Sequence, residues 1–442
     1  MKKSGFTLIE LLAVIAILAI ILVISIPKIL DVIETSKINA LKNAVKLIAD
    51  SAEKKYTENE AFGEENEITC DSVSKLNKED YSKCSIVFDE NGIAKVSIIG
   101  KGKFDELAVI NGTRISAEVI QLELPEYGEA KTFIENIYND EVLRIANDLK
   151  KDNTEDENIR YYGSNPKNYV KFNNELWRII GVFGNNVKLI RNEKLGNISW
   201  DSSDSTINSG FGINQWGEST DADGNNYVGA NLQIYLNKRY YGGDTTIKCY
   251  SRFNVEKTCP TNTLDDIAKT LIDNHLWNTG GIEWKLRTNP VAFYKAERGT
   301  LNGKMCSSGT YCDDIVTRKA EWTGYIGLPY VRDYAYASSE SVCETNMKAQ
   351  DSSNNYICKN NNWMYRSSTM WYLSPIAHPA YAHSVLLVLD NGNVDYGKAS
   401  DLYSVYPSIY LKNNVIIESG TGTNRSEERR VGKECQIGGR WG

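Results

Sequence analysis

The sequence predicts an α+β protein: a long N-terminal helix with a small β head, then a larger mixed α/β domain. Three observations predict it. An apolar run from Leu8 to Ile26 carries a single charge, Glu10, and passes through Pro27 into an amphipathic stretch. Residues 61–127 hold short apolar runs around Asn and Gly turns. Residues 159–417 hold more such runs, set among loops rich in Gly, Asn, Ser and Tyr. At 442 residues the chain exceeds one typical domain and fits two or three. Its 41% hydrophobic and 24% charged residues are ordinary for buried cores. The formal net charge of −7 argues against nucleic acid as a partner.

At the N-terminus, Lys2 and Lys3 precede Ser4-Gly5-Phe6-Thr7-Leu8-Ile9-Glu10-Leu11-Leu12. The apolar run approaches the ~20 residues that span a bilayer. A secretory signal peptide would need a small-residue cleavage site after the run, and no clear one follows. A plain membrane anchor accounts for the length and the lysines but not for Glu10. A charge costs about 2.5–3.5 kcal/mol at the centre of a bilayer helix, less near its end, and normally marks function.

These residues resemble the class III leader of type IV prepilins and pseudopilins. The resemblance covers residues 1 to about 55 and implies a five-residue leader, short as in Gram-positive members. It implies that a prepilin peptidase cuts between Gly5 and Phe6 and that Phe6 is N-methylated. Glu10 then becomes the fifth mature residue and serves assembly, and Pro27 stands where the family often bends its helix. Ser4 departs from the usual lysine-glycine junction, which bears on cleavage efficiency. Other pilin subunits and the membrane are the implied partners, with the membrane before assembly and an extracellular filament or cell surface after it as the location.

Beyond Pro27, Ile38, Leu41, Val45, Ile48 and Ala52 recur at three- and four-residue steps, and Lys42, Lys46, Glu53 and Lys54 fall off that stripe. The helix is therefore expected from about Phe6 to about Tyr56, within a segment 6–60, its first half in membrane or filament core and its second half on the head. In the head, Ser85–Phe88 and Ile93–Ile99 read as two strands around the turn Asp89-Glu90-Asn91-Gly92. Glu106–Ile110 and Ile115–Leu122 are further strands. Residues 128–158 read as a helical connector ending in an exposed hinge from Lys150 to Asn158.

The larger domain opens with three strands between Asn168 and Arg191, separated by Asn turns. A helix is expected from about Leu264 to Leu276, with Leu264, Ile267, Ala268, Leu271 and Ile272 on its apolar side. The domain closes with Trp371-Tyr-Leu-Ser-Pro, Ser384–Leu389, the turn Asp390-Asn-Gly-Asn, Val394-Asp-Tyr and a last strand from Val405. This order resembles C-type-lectin-like domains of the formylglycine-generating-enzyme type found on bacterial surface proteins. Those have Arg-Pro where Tyr406-Pro407 stands here.

The 26 tyrosines against 10 phenylalanines suit half-buried strands and contact surfaces. Residues 425–442 are expected to be foreign: Arg425–Cys435 looks like a sequencing adapter translated in frame. The remaining cysteines form four neighbouring couples, which on an exported chain suggest the disulfides Cys70–Cys84, Cys249–Cys259, Cys306–Cys312 and Cys343–Cys358.

No cofactor, metal site or catalytic residue is predicted. Pairs of the form C-x-x-C are missing from those eight cysteines and there are three histidines, a poor set for zinc. Pro379 between His378 and His383 argues against a helical metal pair. His275, on the expected helix, reads as a packed or surface residue. Asp221–Asn226 has its glycine too early for an EF-hand and Leu232 where a glutamate is needed. The expected function is a type IV pilus-like subunit displaying an adhesive or recognition domain to an unknown surface ligand. The alternatives are a pseudopilin of a secretion or DNA-uptake machine and, less favoured, a membrane-tethered enzyme.

Overall fold

The computed structural model describes residues 8–63, 67–73, 77, 79–201, 215–220, 226–251, 255–282, 289–299, 319–377, 381, 383–424 and 428–433. The chain divides into two units, Met1–Glu123 and Leu124–Gly442.

Helix α1 (Leu8–Phe62, 55 residues) is about 80 Å long at 1.5 Å per residue. Its apolar stripe determines what it packs on. Leu41, Val45, Ile48, Ala49 and Ala52 are buried with Ala94, Val96, Ile98, Phe104, Leu107, Val109 and Ala117, and Ile38 packs at the margin. Each fully buried Leu, Val or Ile contributes about 1.5–3 kcal/mol over the exposed state. The partner is an antiparallel sheet in the order β1 (Tyr81–Phe88), β2 (Ala94–Gly100), β3 (Leu107–Gly112), β4 (Ile120–Gln121). In the β1–β2 turn the Asp89 carboxylate accepts from the backbone N–H of Asn91 and Ile93, and Gly92 takes φ 73°. Gly112 faces α1 so closely that a Cβ would lie 2.6 Å from Val45 Cγ1. Glu53, off the stripe, bonds the Ala94 N–H at 3.2 Å and Arg114 at 2.9 Å. The short helix α2 (Cys70–Val73) is joined to β1 by Cys70–Cys84.

In the second unit, residues 130–158 depart from a connector with an exposed hinge. Helices α3 (Ala130–Asn139) and α4 (Glu141–Asn147) bury Phe133, Ile134, Ile137 and Leu143. Their chain continues into β5 (Leu149–Lys151) and β6 (Ile159–Tyr161), a hairpin whose polar loop keeps Asn153, Glu155, Asp156 and Glu157 exposed but turns three residues inward. Asp152, Thr154 and Asn158 are buried there because the Asp152 carboxylate gathers Thr154, Asn158 and Arg160 around itself. Polarity alone reads as exposure, whereas a polar residue with all its bonds met is tolerated inside.

The three expected strands are β7 (Tyr169–Phe172), β8 (Glu175–Phe183) and β9 (Asn186–Arg191). Asn173 and Asn174 make the first turn at φ 55° and 54°, a left-handed pair that Asn tolerates. They belong to a nine-stranded sheet ordered Ile326–Gly327, Ser408–Tyr410, β9, β8, β7, Arg429–Lys433, Val415–Ser419, with β6 on β8 and β5 on β6. A five-stranded sheet runs β10 (Gly196–Ile198), Tyr403–Val405, Met370–Pro375, Ser384–Val388, Val394–Lys398. The expected last strand is thus split. Tyr403–Val405 serves one sheet and Ser408–Tyr410 the other, with the break at Tyr406-Pro407, where proline has no N–H for a ladder.

The expected Leu264–Leu276 helix is also shorter. The Tyr235–Tyr241 turn extends helix α5 (Asn231–Ile234), and α6 spans only Asp266–Leu271, capped by the Asp265 carboxylate on the Ala268 N–H. His275 falls in the strand His275–Asn278, which pairs with Glu321–Gly324 and brings Trp277 opposite Trp322. Cross-strand pairing here outweighs helical periodicity, and Ile267, expected on the buried face, is 75% exposed.

Of the foreign-looking tail, residues 428–433 are described. Arg429–Lys433 runs parallel to β7 and antiparallel to Val415–Ser419. Such a ladder is made by backbone groups, which every non-proline residue carries. Resequencing the locus from unamplified genomic DNA is expected to give a different sequence after about Asn424. Recovery of the same codons makes the tail native.

Candidate functional site

Two regions hold the residues of interest, one in each unit. The first is α1. Gly5 and Phe6 lie outside the described residues, while Glu10 and Pro27 fall within the helical backbone of Leu8–Phe62. The helix splits by burial into two functional stretches. Leu12, Val14, Ile15, Ile17, Leu18, Ile26, Ile29, Leu30, Val32 and Ile33 are exposed, from Ile33 at 46% to Val32 at 68%. From Leu41 onward the apolar stripe is buried against the sheet. An exposed apolar stretch of that length is covered by lipid or by other chains in a working protein. Among the described residues, no helix is long and apolar enough to cross a membrane.

The second region lies inside the larger unit, where sequence reading singled out nothing. Arg160 from β6 bonds Asp152 through Nε at 2.5 Å and Asp333 Oδ1 through Nη1 at 2.7 Å. Lys188 from β9 bonds the other oxygen, Asp333 Oδ2, at 2.7 Å. Asp333 lies in α8 (Val331–Tyr336), whose first turn it caps by accepting the Tyr330 N–H at 2.9 Å. Next to it, Arg332 bonds Glu297 at 2.7 Å, at the end of α7 (Pro290–Glu297). All these side chains are essentially without solvent exposure. Aromatic rings close the space around them: Tyr330 lies 4.2 Å from Lys188 Nζ, with Tyr410, Trp277 and Phe183 beyond.

Burial by itself would raise the Asp333 carboxyl, but Lys188 and then Arg160 hold it well below the ordinary carboxylate range. Burial pulls Lys188 down to about 8 against the pull of Asp333. Asp152 behaves like Asp333: burial raises it, and Arg160 and Thr154 bring it below its usual value. Each carboxylate is therefore engaged by a cation. Among the described residues, no group of three His, Cys, Asp or Glu stands ready to hold a metal. One signal of this network was in the sequence, since Lys188 interrupts the apolar run Val187–Ile190 and Arg332-Asp333 interrupts an aromatic one.

The tyrosines divide between two environments. Tyr161, Tyr235, Tyr240, Tyr330, Tyr334, Tyr336, Tyr372 and Tyr410 are among those buried, deeper than expected, whereas others, such as Tyr81, Tyr250, Tyr396 and Tyr403 in strands, are half-buried. Burial pushes Tyr235 up to about 12 and the other seven above their ordinary value. The sign follows directly. The unfolded chain releases these protons near pH 10 and the folded one retains them, so stability falls as pH rises above about 10. Lys188 acts oppositely: its folded value is depressed, so its contribution rises with pH from about 8 to the ordinary lysine range. Eight phenols outweigh one amine. Absorbance of phenolate at high pH is expected to rise in two steps, the second coinciding with loss of tryptophan fluorescence. A single step for all 26 tyrosines with fluorescence intact contradicts this.

The disulfides Cys70–Cys84, Cys249–Cys259 and Cys343–Cys358 are formed, while Cys306 and Cys312 lie outside the described residues. Non-reducing peptide mapping is expected to recover all four neighbour pairs, and free thiols or crossed pairs refute it. His275 stacks on Tyr410 at 3.7 Å with Nδ1 3.0 Å from Asp273, a packed residue. His378 and residues 221–225 lie outside the described residues, and His383 sits in a turn. A cleft of about 300 Å³ beside α6 is lined by Phe172, Asn174, Asp265, Ile267, Glu418 and Arg430, and Asp265 is already engaged as the helix cap.

No curated protein and no solved structure matches the chain. Residues 1–26 match the family model of the prokaryotic N-terminal methylation motif, so the chain carries a type IV pilin-like prepilin leader, which suggests a pilin- or pseudopilin-like subunit.

Proposed function

We propose that this chain is a type IV pilus-like filament subunit that displays its larger unit as an adhesive or recognition domain on the cell surface. The observation that carries this reading is the continuity of α1. A methylation-motif N-terminus leads into exposed apolar turns, and the same helix then packs on a small sheet. The first stretch suits a filament core and the second holds the head. A displayed unit of the size of Leu124–Gly442, with disulfides and a buried ionic network, exceeds what assembly by itself requires and favours display over a role inside a secretion machine. The C-type-lectin-like reading of this unit is supported by the order Met370–Pro375, Ser384–Val388, Val394–Lys398. The unit is read as binding rather than catalytic because its buried carboxylates Asp152, Asp333 and Glu297 are each engaged by a cation.

Immunogold labelling with antibodies to residues 124–442 is expected to decorate filaments along their length, and a deletion strain to lose attachment while retaining protein export and DNA uptake. Loss of export or uptake without loss of attachment would favour the pseudopilin reading.

A further inference from the structure

The Lys188–Asp333 contact has the composition of an amide-forming pair. We propose that Lys188 Nζ and Asp333 Cγ condense into an intramolecular amide, joining β9 to α8 across 145 positions of sequence. Four features of the structure support this. Nζ and Oδ2 already stand 2.7 Å apart, with both side chains wholly buried. The structure gives the amine one hydrogen-bond acceptor, and aromatic rings occupy its other sides. Arg160 Nη1 stands 2.7 Å from Oδ1, the oxygen that becomes negative when the amine adds to Cγ, and Asp152 fixes that guanidinium from behind. The closed surroundings also keep out the water that hydrolysis of the amide would need.

The step balances without a co-reactant. The ammonium passes a proton to Oδ2 along their hydrogen bond, and the freed lone pair attacks Cγ to form the C–N bond. A second amine proton follows to Oδ2, the Cγ–Oδ2 bond breaks, and that oxygen leaves as water. The amide nitrogen keeps the third proton. Burial, which brings Lys188 down to about 8, lowers the cost of the first transfer, whereas the cations that hold Asp333 ionised raise it. The ion pair is therefore the starting state and closure is slow, comparable with the lifetime of an exported protein rather than with folding. The gain is mechanical: a covalent strut inside a unit exposed to shear and proteases.

Intact mass of the full chain, reduced and denatured after prolonged incubation, tests this directly. The wild-type chain is expected one water lighter than its sequence, and Lys188→Met restores the full mass. Trypsin is expected to leave Lys188 uncut and to yield Ile179–Arg191 joined to the fragment that begins at Asp333. An unshifted wild-type mass, a free peptide ending at Lys188, or a water loss that persists in Lys188→Met overturns the proposal. If Lys188→Met does not fold, the wild-type digest still decides, because the linked fragments are either present or absent.

Discussion

Asp333→Ala is expected to destabilise the larger unit by at least about 3–5 kcal/mol, the range for a buried ion pair broken from one side. Asp333 sits between two cations, Lys188 and Arg160, both wholly buried. Removing its carboxylate leaves Lys188 with uncompensated charge in a space closed by aromatic rings, strips Arg160 of one of its two carboxylates while Asp152 stays, and takes the cap from α8. Since whole domains are stable by about 5–15 kcal/mol, the loss brings this unit close to unfolding at ambient temperature. Asp333→Asn keeps the shape and one acceptor and is expected to cost less. Lys188→Met is expected to cost least, because Asp333 retains Arg160 and the methionine refills the apolar space. All nine tryptophans lie beyond residue 123, so fluorescence during urea unfolding reports this unit alone. Equal midpoints for wild type and Asp333→Ala would show that the network contributes nothing to stability.

Glu10→Leu is expected to leave membrane insertion intact and to lower filament yield by at least about tenfold. Removing a charge from an apolar run favours insertion. In the pilin-like reading, the cleaved N-terminus exposes a free amine on Phe6, four residues from Glu10. Each charge is costly in an apolar helix bundle, and pairing with a neighbouring subunit recovers much of that cost. A lost contact of about 1.4 kcal/mol already weakens association tenfold. The exposed apolar residues from Leu12 to Ile33 would still drive non-specific contact. The variant is therefore expected to cross-link at irregular spacing rather than to stay monomeric. Sheared-filament yield and the helical rise by electron microscopy are the measurements. Normal yield and rise in Glu10→Leu would reduce this carboxylate to an incidental part of an anchor.

What could be read before the structure was whatever a local pattern encodes. Leu41, Val45, Ile48 and Ala52 fall on one helical face at any fold, and they are the residues buried on the head. Asn173-Asn174 and Asp89–Gly92 announce their turns because few residues accept those dihedrals, and the strands on either side follow. The N-terminal motif needs no fold at all, since a peptidase reads it as sequence. Tertiary structure decided the rest, where a residue's state depends on a distant partner. Asp152, in a run that reads as an exposed hinge, is buried because Arg160 and Asn158 meet it there. The segment from Val405 became two strands in two sheets, and His275 left its helix for a strand opposite Gly324. The charge pair at the centre of the larger unit joins positions 188 and 333, and no periodicity within either segment encodes the other. Hydrophobic patterning is a property of one segment, whereas the free energy of a buried charge is a property of the pair that compensates it.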